Sequence, residues 1–112
     1  MTTADLGTLA QIALARGDNS QARTHMEQLL SILHECGAEG PDYPQRDFLV
    51  AAKILHTLGE VDQANDALEL AYETLQLHAG RILNESMREK YLNQIWFNKE
   101  ILQFANALDV IA

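Results

Sequence analysis

Six pairs of residues recur along the chain at one constant offset of 42: Ala10 with Ala52, Ala13 with Leu55, Gly17 with Gly59, Ala22 with Ala64, Met26 with Leu68, and Leu33 with Leu75. Five of the six pairs match small with small or large with large, Ala13 with Leu55 being the exception, and both units carry a glycine at the same point. A fixed offset of this kind is the signature of stacked repeats, in which each unit buries its apolar face against its neighbour. Two unrelated amphipathic hairpins in an ordinary bundle would give similar pairs. The periodicity of each segment therefore has to be read on its own.

Residues 62–78 place Ala64, Ala67, Leu68, Ala71, Tyr72 and Leu75 on one face. This is the three-and-four ladder of an amphipathic helix. Residues 19–36 repeat it with Ala22, Met26, Leu29, Leu30, Leu33 and Cys36. Residues 4–15 and 45–58 read as two shorter helices, the first with Thr2 and Asp5 spaced as a capping box. Gly17-Asp18 and Gly59-Glu60 separate the helices of each pair. A glycine accepts the left-handed conformation that ends a helix, and an acid beside it suits the positive end of the next. Between the pairs, residues 37–44 hold two glycines and two prolines, which stops any helix. After it, Asn84 is placed to cap a helix carrying Met87, Tyr91 and Leu92 inward. A last helix from about Phe97 carries Ile101, Phe104, Ala105 and Leu108 inward, with Trp96 and Phe97 at the turn before it. The expectation is an all-α fold of about six helices, with no strand-length alternation anywhere.

The chain has 112 residues, which suits one domain: hairpin one over 3–36, a loop over 37–44, hairpin two over 45–80 and a closing hairpin over 84–108. Its 16 acids outweigh 8 lysines and arginines, for a net charge of −8. That balance argues against nucleic acid and against an anionic membrane surface as direct partners. Five of the acids, Glu60, Asp62, Asp66, Glu69 and Glu73, fall within 60–73 with no base among them. The single cysteine, Cys36, cannot form an internal disulfide, and it reads as a small buried hydrophobe in a reducing compartment. No run is long and apolar enough to span a bilayer, and MTTADLG has no signal-peptide pattern. A cytoplasmic protein is expected.

The run LAQIALARGDNSQARTHMEQLL resembles a tetratricopeptide repeat, and AAKILHTLGEVDQANDALELA resembles one more closely. Ala52, Gly59, Ala64, Leu68 and Ala71 match the family's small residue, turn glycine, alanine, bulky residue and second alanine. Ala10, Gly17, Ala22 and Met26 match in the first unit, where Leu29 replaces the last alanine. The family's first-helix aromatic and its closing proline are missing, and the period exceeds the usual length. The tail is similar to the closing helices of tetratricopeptide arrays in large bacterial signalling ATPases and transcriptional regulators, through Arg88, Tyr91-Leu92, Asn98 and Glu100-Ile101. The resemblance implies a tetratricopeptide-like stack of three antiparallel hairpins, wound as a right-handed superhelical repeat. It implies a protein–protein interaction module whose first helices line a concave groove for a peptide or helix. Carried over to this chain, the groove residues are Gln11, Leu14, Arg46, Leu49, Lys53 and His56.

The four histidines, His25, His34, His56 and His78, are not spaced as metal ligands, and His34-Glu35-Cys36 does not place two ligands on one helix face. Gly37 to Gly40 is too short for a phosphate loop, and no serine sits in a nucleophile elbow. No enzyme, metal or cofactor is expected. Arg46 and Lys53 suit an acidic side chain or terminal carboxylate, although ordinary surface charge would look the same. The stripe Asp62, Asp66, Glu69 and Glu73 is either a solvated outer face or a docking surface for a basic partner. The expected partner is another protein or peptide. The alternative is a structural role: a homodimer through hairpin faces, or the C-terminal array of a larger regulator.

Overall fold

The computed structural model describes the backbone of residues 3–36 and 43–107, with the side chains of 5–35 and 43–104. Six helices follow one another: α1 (Thr3–Ala15), α2 (Asn19–Cys36), α3 (Pro44–Thr57), α4 (Val61–Gly80), α5 (Glu85–Gln94) and α6 (Trp96–Ala107). No strand occurs among the described residues. The capping role of Thr2, the loop over 37–42, the burial of the Cys36 side chain and the inward placement of Ala105 and Leu108 lie outside the described residues. Pro44 opens α3 instead of closing the loop before it. A proline at the first helical position lacks only an N–H that would have had no helical partner.

The two glycine turns close in the same hydrogen bonds. Gly17 N–H donates to the Leu14 carbonyl at 3.0 Å and Asp18 N–H to that of Ala13 at 2.8 Å. Gly59 N–H donates to the His56 carbonyl at 3.1 Å and Glu60 N–H to that of Leu55 at 2.9 Å. Both are Schellman closures, which require a left-handed residue. Gly17 and Gly59 supply it with φ of 77° and 84°. The acids that follow diverge. Asp18 Oδ1 accepts the Gln21 N–H at 3.1 Å and so caps α2. Glu60 makes no capping bond and instead pairs with Arg23 of α2 at 3.2 Å.

The expected packing residues Ala10, Ala22, Met26, Ala52, Ala64, Leu68 and Ala71 are all buried, while Gly17 and Gly59 sit exposed at the turns. All of these buried residues except Ala22 lie in one continuous core with Leu6, Leu29, Leu33, Phe48, Leu49, Leu55 and Leu75. α1 packs on α2 and α3 on α4, and α3 also lies against both α1 and α2.

The closing pair departs from expectation. α6 packs on both α3 and α4, whereas α5 rests on α4 and α6 and has no fully buried residue. Asn84 does cap α5, its side chain accepting the Met87 N–H at 3.0 Å. Yet Met87, expected inward, is 62% exposed, because α6 occupies the ground next to α3 and α4 that α5 would have needed. Tyr91 and Leu92 are half-buried against the core. Trp96 and Phe97 are not a turn. Ile95 alone breaks the helix with ψ of 121°, and its carbonyl accepts the Lys99 N–H at 3.0 Å, so α6 begins at Trp96. Phe104, also expected inward, is 39% exposed at the edge of a cleft.

The turn geometry predicts that Gly59→Ala lowers unfolding free energy by about 1–2 kcal/mol, the cost of a Cβ in the left-handed region. Gly80→Ala, at a helical glycine with open space around it, serves as the control and is expected to be neutral or stabilising by up to about 1 kcal/mol. Urea denaturation of both variants measures the contrast. Equal effects would contradict the assigned role of Gly59.

Candidate functional site

On α3, Leu49, Ala52, Lys53 and His56 are spaced three, one and three apart and so share a face. Together with Thr57, Ala64, Asn65, Leu68 and Phe104 they line a cleft of about 340 Å³. Its floor is apolar, since Leu49, Ala52, Ala64 and Leu68 are buried. Alanine at 52 and 64 leaves the space that larger residues would fill. Lys53 and His56 stand exposed at the rim, and Asn65 is half-buried.

The rim is not a free cationic patch. Lys53 Nζ donates to Glu100 Oε1 of α6 at 2.7 Å, with the lysine side chain 50% exposed. Exposed pairs of this kind contribute about 0.2–1 kcal/mol, so the contact neutralises charge more than it anchors. Arg46 lies elsewhere. Its guanidinium sits over the Tyr43 ring at 5.5 Å, and its Nε is 3.8 Å from Asp47 Oδ1. Tyr43 in turn meets Phe97 at 5.4 Å, and Phe97 meets Trp96 edge-on at 5.5 Å. Arg46 therefore belongs to an aromatic cluster at the start of α3. Gln11 is exposed on α1, and Leu14 is half-buried against the core. Of the six expected groove residues, the structure brings Leu49, Lys53 and His56 together in the cleft, and Arg46, Gln11 and Leu14 do not line it.

Sequence reading missed a buried polar network that seats the closing pair. Gln45 Nε2 donates to the Tyr91 hydroxyl at 2.8 Å and to Asn98 Oδ1 at 3.2 Å, and Asn98 Nδ2 donates to the Tyr91 carbonyl at 3.0 Å. Gln45 and Asn98 are fully buried, and Gln45 Oε1 has no hydrogen-bond partner. Arg88 adds a clamp, with Nε and Nη2 both donating to the Ile82 carbonyl, at 3.1 and 2.7 Å. Asn98 was detectable in principle, as a lone amide on the Phe97–Ile101 side of α6. Gln45 carried no such signal, because its partners lie about 50 residues away.

The acidic stripe Asp62, Asp66, Glu69 and Glu73 is exposed along α4. Asp66, Glu69 and Glu73 border a shallow depression against α2, with Leu30 and His34 on its far side. Among the described residues no three His, Cys, Asp or Glu side chains group as metal ligands. No described helix is long and apolar enough to cross a membrane. Comparison of the chain with protein-family models, curated proteins and solved structures returns no match.

Asn98→Ala removes two hydrogen bonds of a buried amide and is expected to cost about 1–3 kcal/mol. In a double-mutant cycle with Gln45→Ala, the coupling energy is expected to be about 0.5–3 kcal/mol. Denaturant titration of the four proteins checks this, and strict additivity would show that the two amides act separately.

Proposed function

We propose that the protein is a non-catalytic, cytoplasmic protein–protein interaction module. In this reading it is a tetratricopeptide-like stack that takes a peptide or helix of another protein in the cleft between α3 and α4. The observation that carries the reading is the cleft itself. It has an apolar floor from Leu49, Ala52, Ala64 and Leu68 and a polar rim from Lys53, His56 and Asn65. An apolar floor gives affinity to a side chain that enters it, and a few polar groups at the edge orient the ligand. The 42-residue offset and the two matching glycine turns support the repeat architecture. The likeness of the tail to arrays in bacterial signalling ATPases and transcriptional regulators directs the reading towards those processes.

A second reading is self-association. Leu77, Leu83 and Met87, around the α4–α5 link, are large exposed apolar residues, with Leu83 at 93%. Association through them predicts a dimer by light scattering that Leu83→Asp dissociates. A clean monomer at high concentration would dispose of it.

For the cleft, Asn65→Trp fills the space without replacing a core residue. Affinity capture from source lysate is expected to lose at least nine-tenths of the proteins retained by the unsubstituted chain, with an unchanged circular dichroism spectrum. An identical captured set would refute the assignment.

A further inference from the structure

The cleft is the open remainder of a longer seat, most of which the chain fills itself. α6 runs along α3 in the same direction, from the Gln45–Asn98 bond near the start of α3 to Phe104 beside His56 and Thr57 near its end. It presents Phe97, Ile101 and Phe104 at spacings of four and three, with Glu100 beside them on Lys53. This is the anchor pattern by which an amphipathic helix docks in a groove. Phe97 and Ile101 are buried, and Phe104 only half enters the cleft.

α6 is held at few points: Phe97 and Ile101 in the core, Asn98 on Gln45, and Glu100 on Lys53. Its partner α5 has no fully buried residue. Among the described side chains of α6, only Phe97, Asn98 and Ile101 are buried, and the Lys53–Glu100 pair is open to solvent. Cooperative units with few buried contacts are the ones that open locally. The continuous core is supplied mostly by α1 to α4, and among the described side chains α6 adds Phe97 and Ile101 to it.

We infer that α6 is a built-in occupant of the α3–α4 seat. The partner that displaces it is an amphipathic helix of another protein with the same chemistry: aromatic, acid three residues on, aliphatic next, and aromatic three further. This rests on the cleft being a binding site and adds the identity and the regulation of what binds. The acid is required because Lys53 loses Glu100 when α6 leaves. A partner then binds with an apparent affinity reduced by the fraction of molecules in which α6 is undocked.

The test uses the full chain and a fluorescent synthetic peptide of residues 95–107, followed by anisotropy. The unsubstituted chain is expected to bind weakly. Glu100→Lys in the chain, a surface change that preserves the fold, is expected to bind about three- to tenfold more tightly. Ile101→Ala, which removes one of the two buried apolar anchors of α6 and leaves the α3–α4 side chains unchanged, is expected to bind more than tenfold more tightly. A peptide carrying Glu100→Lys is expected to lose the gain. Equal affinity across the unsubstituted chain and both variants would overturn the built-in competition while leaving the cleft as a binding site. No binding to any of them would overturn both. Binding that survives Asn65→Trp would place the peptide elsewhere and also overturn the inference.

Discussion

Two helices can approach only as closely as their facing side chains allow, and in this protein alanine sets that distance. Ala10 and Ala22 are buried on the packed pair α1 and α2, and Ala52, Ala64 and Ala71 on the packed pair α3 and α4. Each alanine gives up its own apolar area. What it permits is burial of the larger neighbours Met26, Leu29, Leu49, Leu68 and Leu75, each worth about 1.5–3 kcal/mol. The turns follow from the same constraint. Helices this close need a short return, and a Schellman closure on a left-handed glycine provides one without leaving the last carbonyls unpaired.

Once the two pairs are set side by side, a seat remains along α3 and α4, and the closing pair competes for it. α5 and α6 both read as apolar stripes, so spacing alone does not choose between them. The choice falls to side chains that meet across the fold. Phe97 and Ile101 supply more apolar surface than Met87 and Leu92, and Asn98 finds Gln45. Arg88, Glu89 and Lys90 interrupt α5 with three consecutive charges, which suits an outer layer. The result is an inner α6 and an outer α5.

What was legible in the chain was whatever depends on neighbours in sequence. The helix spans, the glycine turns, the Asn84 cap and the buried face of α4 all rest on spacings of a few residues, and the structure reproduces them within about two residues. What was not legible depends on distant residues. Met87 and Phe104 are apolar and correctly phased for burial, yet their exposure is decided by where α6 lies. Lys53 read as a free cation because Glu100 is far away in sequence, and Arg46 left the groove because the Tyr43 ring offered its guanidinium a face. At the site, Leu49, Lys53 and His56 could be read from their spacing. The floor formed by Ala52, Ala64 and Leu68, expected only as packing residues, and the electrostatics of the rim could not.

The joint between α5 and α6 is one residue, Ile95, and a single residue offers only two soft torsions. Any sliding of α6 along α3 must therefore swing α5 as a lever arm. The first residue beyond the joint is Trp96, the only tryptophan in the chain, with its ring edge-on to Phe97. The indole emission of this protein is thus the emission of that hinge, an optical readout of α6 position that needs no added label.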